Sequence, residues 1–489
     1  MQTELFEKSL ESWKPHAYQK KAVKFLIEHA AGALFLDPGL GKTSITLAAI
    51  KLLKQKKIIN KVLIIAPLRV CHSVWPNEIG KWSDFYGLKF QILHGPKKAE
   101  ALSTEADIYI INPEGLEWLL QVKKTTTTLN GKTKVDIDQR RWKNLGFDTL
   151  VVDELSKFKY TSTNRFKAIK LVLGTFSRRW GLTGSPVANG LLDLFGQCYV
   201  LDQGRTLGSY ISHYRTKYFN LGYDGFNWVI RDGADKEIYE RIKPLVLRMS
   251  AEDYLDMPTL INNNILVDLP KDVMKIYKHM EDDLIAKLDS RVITASNAAA
   301  ASAKCRQVAN GGVYLDLDIE ALIKPSKSTR EWVNLHSMKI DALADLIDEL
   351  QGSPLLVAYD FRHDLDRIQE KFGIDIPYIG GGVDAKRSVE LEKAWNAGKL
   401  PVLFGHPQSI AHGLNLQEVG NHVCWHSLTW NYELYDQFIR RVLRQGNKAK
   451  NVFVHHIIAR KTVDEAVMAA LGSKRSGQNA FFNALKKMR

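Results

Sequence analysis

The segment Asp37-Pro38-Gly39-Leu40-Gly41-Lys42-Thr43-Ser44 places two glycines, a lysine and two hydroxyls between an apolar run at 33–36 and the helical run ITLAAIKLL. That order suits a phosphate. Glycines at 39 and 41 let backbone N–H groups turn inward, the helix N-terminus adds its dipole, Lys42 brings charge to terminal phosphates and Thr43 offers a magnesium ligand. Leu36 occupies the first glycine position of the strict G-x-x-x-x-G-K-[ST] pattern, so on these residues alone a plain helix-capping turn stays open. A nucleotide site also needs carboxylates at a second strand end, and Val151-Val152-Asp153-Glu154 offers them. Asp153 would hold magnesium through water and Glu154 would orient or deprotonate the attacking water; a solvated strand end is the alternative. The run Gln437–Gly446 (QFIRRVLRQG) could bring positive charge to the transition state. On a helix, Arg441 and Arg444 share a face while Arg440 points elsewhere, so either an arginine finger or a basic face toward solvent or DNA phosphate fits. A finger would be worth on the order of 10³ to 10⁵ in rate and would make hydrolysis depend on closure of one lobe on another.

The elements that must position these residues are short apolar runs alternating with helical segments, the pattern of a mostly parallel α/β sheet. Strands are predicted at 33–36, 62–66, 90–93, 107–111, 149–152 and 179–182, and a second series at 355–358, 376–379, 402–404, 422–425 and 453–458. Two α/β lobes follow. The expected division is 1–250 for the first lobe, 251–335 for a linker with helical insertion, and 336–489 for the second lobe. In the alanine-rich ASNAAAASAKCR and in KIDALADLIDEL helices are expected, the latter with Ile340, Leu343, Ile347 and Leu350 on one face. The Thr- and Lys-rich segment 121–143 reads as an exposed loop or hairpin inserted in the first lobe.

Composition narrows the partners. The 489 residues are 45% hydrophobic and 25% charged, enough for sizeable cores and against wholesale disorder. A net charge of +14 favours a polyanion. No basic amphipathic stretch points to a membrane, so nucleic acid is the expected partner. Cys71, Cys198, Cys305 and Cys424 are scattered without zinc spacing or a disulfide framework, and no second carboxylate cluster suggests a nuclease. Without a signal-peptide pattern or a long apolar run, a reducing cytoplasmic setting is expected.

Taken along most of the chain, from about 14 to 460, these motifs resemble the Swi/Snf-like branch of superfamily 2 helicases and translocases, two-lobe ATPases related to the DEAD/DEAH proteins. KPHAYQKKAV is similar to the Q motif, which implies Gln19 on the adenine edge with Lys14 and Tyr18 in support. LDPGLGKTS resembles motif I in its Swi/Snf form, VLIIAPLRVCHSVWPNEIGKW motif Ia with a trailing W-x-x-E-x-x-K-W, VVDELSKFK motif II, and RWGLTGSPVANGLLDLFG motif III, whose Thr183 and Ser185 the family places between nucleotide and DNA sites. LVLRMSAEDYLDMP is similar to the family's linker, with Met249 and Glu252 in place of Arg and Lys. In the second lobe PLLVAYDFRHDLDRI resembles motif IV, SIAHGLNLQEVGNHVCWHSLTWN motif V, and QFIRRVLRQGN motif VI, whose two arginines fall on Arg441 and Arg444. Arg440 is then a DNA or structural residue. Ser156 stands where many relatives have His, Asn447 replaces the last Gln of R-x-G-Q, and His412 replaces a glycine before GLNL.

The resemblance implies two RecA-like lobes of the P-loop NTPase type, ATP and magnesium as cofactors, and nucleotide contacts from Gln19 and from Asp37, Pro38, Gly39, Leu40, Gly41, Lys42, Thr43 and Ser44. It implies Thr43 and Asp153 at the metal, Lys42, Glu154, Arg441 and Arg444 in catalysis, and DNA contacts from Arg69, Asn112, Ser185, Tyr359, Asn415 and Trp430. Burial is the competing role for Tyr359 and Trp430, and a solvent-facing loop position for Arg69. The expected activity is that of a monomeric ATP-dependent translocase on duplex DNA, in a compact bacterial or viral form, with a partner protein for targeting. A strand-separating helicase is the alternative, and a nucleotide-dependent DNA clamp with weak hydrolysis stands behind it.

Overall fold

A computed structural model describes residues 11–126, 133–222, 228–289, 295–314, 331–411 and 413–487. His412 lies outside the described residues. The chain divides into two compact units, Met1–Leu255 with Ser476–Arg489, and Asp256–Arg475.

In the first unit the chain runs through β1 (Ala31–Leu36), β2 (Val62–Ile65), β3 (Phe90–Ile92), β4 (Ile108–Ile111), the hairpin β5–β6 (Lys123–Thr126, Thr133–Asp136), β7 (Thr149–Asp153), β8 (Arg178–Thr183), the hairpin β9–β10 (Phe219–Leu221, Trp228–Ile230) and β11 (Val246–Met249). Seven of these form one sheet, in the order β11-β1-β8-β7-β2-β4-β3, with every pairing parallel. Continuous apolar runs such as VLII and IYII are buried from end to end, as strands covered by helices on both faces must be. Because β8 lies between β1 and β7, Thr183 is level with Phe35 on one side and Leu182 with Asp153 on the other. The carboxyl ends of three neighbouring strands thus meet at one edge, the position where open parallel sheets bind ligands. Helices α1 (Ala17–Glu28), α2 (Lys42–Gln55), α3 (Leu68–His72) and α4 (Val74–Lys81) belong to this unit. The Thr- and Lys-rich segment contains the antiparallel hairpin β5–β6.

The second unit holds β12 (Thr259–Val267), the hairpin β13–β14 (Gly312–Tyr314, Trp332–Asn334), β15 (Leu355–Ala358), β16 (Tyr378–Ile379), β17 (Val402–Gly405), β18 (His422–Trp425) and β19 (Asn451–Ala459). Its sheet runs β12-β19-β18-β15-β17-β16, again all parallel. The stretch 251–335 therefore supplies a nine-residue edge strand as well as helices. Ala295–Asn310 and Met338–Glu349 are helical, and Ile340, Leu343, Ile347 and Leu350 pack into one apolar core. Among the described residues no helix is long and apolar enough to cross a membrane.

Candidate nucleotide and nucleic-acid sites

The loop from β1 to α2 carries Gly39 at φ +95° and Gly41 at φ +77°, the left-handed region where a side chain is strained. Gly41 is doubly constrained, since a Cβ there would lie 2.6 Å from Gln19 Nε2. Gln19 is buried against the loop, donating to the Leu40 carbonyl at 3.3 Å and accepting from the His16 N–H at 3.0 Å. One end of its amide thus caps α1 and the other ties α1 to the loop. Lys42 opens α2 and turns its ammonium back over the loop, donating to the carbonyls of Leu36 (2.8 Å) and Asp37 (3.4 Å). Pro38 faces the backbone at Gly184, where an added Cβ would come 3.3 Å from its ring.

Asp37 has a structural role that its place in the glycine loop does not announce. Its Oδ1 takes the Arg248 guanidinium at 2.7 Å in a buried ion pair, and its Oδ2 accepts from the Ala251 N–H at 3.0 Å and the Ser250 hydroxyl at 3.4 Å. The side chain thus anchors the glycine loop to the end of β11. Ser44 likewise gives its hydroxyl to Glu78.

At the end of β7, Asp153 Oδ2 accepts from the Trp75 indole N–H at 3.0 Å. Burial, and then the neighbouring Glu154, raise the Asp153 carboxyl to about 6, against the opposing pull of Lys42 and the Trp75 hydrogen bond. Glu154 adopts φ +63°, rare for a side chain of its kind. Its Oε1 accepts from Ser156 (2.9 Å) and from Thr183 (2.9 Å), so the serine that stands in the usual histidine position lies within hydrogen-bond reach of the carboxylate. Ser185 is buried, and its N–H donates to Thr183 Oγ1 at 3.2 Å. Lys42, Asp153, Glu154 and Thr183 therefore come from three adjacent strand ends.

In the second unit the helix that carries QFIRR ends at Ile439, so Arg441 and Arg444 lie in turns beyond it and not on a helical face as expected. Past Ile439 the N–H groups turn to carbonyls three residues back, Arg441 to Phe438 at 3.1 Å and Val442 to Ile439 at 3.0 Å, and the Arg441 carbonyl accepts from the Leu416 N–H at 3.2 Å. The two arginines still converge on the same segment. Arg441 Nη1 donates to the Leu414 carbonyl at 3.0 Å and Arg444 Nη1 to Asn415 Oδ1. Arg440 pairs with Asp436 at 2.7 Å. Asn447 bridges the carbonyls of Gly420 (2.8 Å) and Val442 (3.0 Å), a structural use of the residue that replaces glutamine.

The residues expected at DNA divide by burial. Ser185, Asn112 and Tyr359 are buried, Asn112 donating to Glu114 at 2.8 Å and Tyr359 packing edge-on to His406. Trp430 is half-buried and donates to Ser302 on the helix Ala295–Asn310 at 3.1 Å. Arg69 on α3 is half-buried, and Asn415 is exposed.

The chain matches the SNF2-related domain over residues 18–316 and the helicase conserved C-terminal domain over 338–446. It belongs to the SNF2-related ATPase family. It is 33% identical to the putative protein p41 of the Acyrthosiphon pisum secondary endosymbiont phage 1, over 98% of this chain and 100% of that protein. Against the mouse DNA excision repair protein ERCC-6-like, identity is 28% over 42% of this chain and 16% of that protein, so the chain spans a small part of this longer relative. The Sulfolobus solfataricus SWI2/SNF2 ATPase core in complex with dsDNA is 23% identical, covering 97% of this chain and 94% of that one with a TM-score of 0.42.

Membership makes the SNF2-related chain an ATP-hydrolysing enzyme that uses a nucleotide. Three further residues bear on the site: Trp75, Glu78 and Arg248. Trp75 and Glu78 were visible inside the W-x-x-E-x-x-K-W signature, and their spacing of three on a helix signals one shared face. Arg248 was visible as the arginine of the linker pattern, but nothing in sequence pairs it with Asp37.

Proposed function

We propose that this SNF2-related ATPase is an ATP-dependent translocase on duplex DNA. The observation that carries the reading is the convergence of Lys42, Asp153, Glu154 and Thr183 at neighbouring strand ends beside a glycine loop. In this reading the loop 37–43 and Lys42 hold the phosphates, Gln19 holds the loop against the base, and Glu154 orients the attacking water. A divalent cation fits the residues present: a buried carboxyl raised to about 6 beside a second carboxylate favours its charged form when a cation arrives, and Thr43 adds a hydroxyl at the start of α2. Magnesium bound by Asp153 and Thr43 would neutralise phosphate charge. Arg441 and Arg444 are the proposed transition-state cations, and Arg69 and Asn415, the polar side chains among the expected contacts that are not buried, the proposed backbone contacts on DNA. The net charge of +14 and the DNA-acting relatives support a nucleic-acid partner.

The test is steady-state ATPase with no nucleic acid, single-stranded DNA, blunt duplex, forked DNA and RNA at two salt concentrations. Strong, salt-sensitive stimulation by blunt duplex, followed by triplex displacement, is expected. Stimulation by forks or single strands alone would replace this reading with a strand-separating helicase, and no stimulation would leave a nucleotide-dependent clamp.

A further inference from the structure

Helix α4 presents Trp75 and Glu78, three residues apart, on one face, and each grips a different half of the nucleotide site. The Trp75 ring is wholly buried, and a buried indole N–H needs an acceptor. It finds Asp153 Oδ2 at 3.0 Å. Glu78 Oε1 accepts both from the Ser44 hydroxyl, next to Thr43, and from the Trp82 indole at 2.8 Å, which holds the carboxylate in place from its own helix end. Asp153 and Thr43, the two residues proposed to share magnesium, thus each have their position set from one rigid turn of one helix. We propose that Trp75 and Glu78 are positioning residues that fix the separation and orientation of Asp153 and Thr43, so that α4 is the gauge for the metal-binding gap. The inference rests on the nucleotide-site reading above.

Neither residue need touch nucleotide or metal. Their effect is that of hydrogen-bond partners behind metal ligands, whose loss typically costs 10- to 100-fold in metal affinity. Without the indole N–H the Asp153 carboxylate is free to rotate away, and without Glu78 the first turn of α2 loses its tie to α4. The glycine loop and Lys42 are left as they were, so phosphate binding without metal should persist.

The test separates these two. Binding of a fluorescent N-methylanthraniloyl-ADP to the full chain is measured with magnesium and with EDTA, giving the gain in affinity that the metal supplies. In Trp75→Phe that gain should fall about tenfold or more while affinity in EDTA stays within about twofold. Glu78→Ala should do the same, and Glu78→Gln, which keeps an acceptor oxygen, should restore most of it. If Trp75→Phe melts early, 3-benzothienylalanine at position 75 keeps the indole outline and lacks only the N–H. An unchanged magnesium gain in a folded variant overturns the proposal. So does an equal loss with and without metal, which would mark Trp75 and Glu78 as packing residues only. Asp153→Asn is the control: if it abolishes the gain while Trp75→Phe does not, the positioning role alone fails, and if it too leaves the gain intact, the magnesium reading beneath it fails.

Discussion

The two units share an all-parallel sheet but place their buried polar groups differently. In the first, the buried ion pair Arg248–Asp37 and the carboxylates of Asp153 and Glu154 sit at the strand ends that carry the glycine loop. In the second, a connected set of polar side chains lies inside. Lys339 pairs with Asp464 at 2.6 Å and donates to Asn310 at 2.9 Å. Asn310 and Ser427 donate to Asp364 at 3.1 and 2.6 Å, and His363 lies 3.2 Å from the same carboxylate. Burial would raise the Asp364 carboxyl, but His363, His426 and Ser427 hold it well below the usual range. The lesson is that one architecture can place polar groups on a rim of strand ends, the proposed nucleotide site, or in an interior that ties helices to a sheet.

Substitutions should separate the two uses. Lys42→Ala is expected to abolish ATP turnover while the circular dichroism spectrum stays that of the parent, and Arg444→Ala to slow turnover by about 10³ with little change in nucleotide affinity. If Arg444→Ala turns over at the parent rate, the chemistry belongs to the first unit alone. Next in size, Asp464→Asn leaves the buried Lys339 ammonium with no opposite charge beside it and should cost about 3–5 kcal/mol, read by urea denaturation as early loss of the second unit's transition. Matching loss of both transitions would mean that the units do not unfold separately.

Acid should act on the second unit as well. Burial pushes His426 down to about 3, and His336, His455 and His456 down to about 4. Unfolded, each binds a proton near 6.5; folded, each refuses it until near 4 or below, so the unfolded state holds more protons in between. Their stabilisation is fully present above about pH 6.5 and is lost as pH falls toward 4, with a slope of about 1.4 kcal/mol per pH unit for each histidine. Thermal melts from pH 7.5 to 4.5 should show the second unit's transition moving down, and a pH-independent transition would remove the comparison.

What the sequence made legible follows the strength of its local signals. Apolar runs such as VLII and LLVA announce buried parallel strands because every position is covered. TLINNNILV does not, since β12 is an edge strand with three asparagines and a largely exposed side. β11 was hidden inside the linker pattern. The glycine turn at 39–41 and the strand end at Asp153 were legible because paired glycines and an apolar run closing on carboxylates are signals confined to a few positions. The end of the helix at Ile439 was not, because no glycine or proline interrupts QFIRRVLRQ where its N–H groups turn to carbonyls three residues back. The Asp37–Arg248 pair joins residues 211 apart, beyond the reach of any local pattern.

The backbone at Glu154 has a consequence for anyone evolving this protein in the laboratory. At φ +63° glycine or asparagine would sit with less strain than glutamate, so a selection that rewards thermal resistance alone should enrich variants at 154 that have discarded the carboxylate. If Glu154 orients the attacking water as proposed, such clones would be robust but inert, and a selection scheme for this ATPase must score hydrolysis alongside survival on heating.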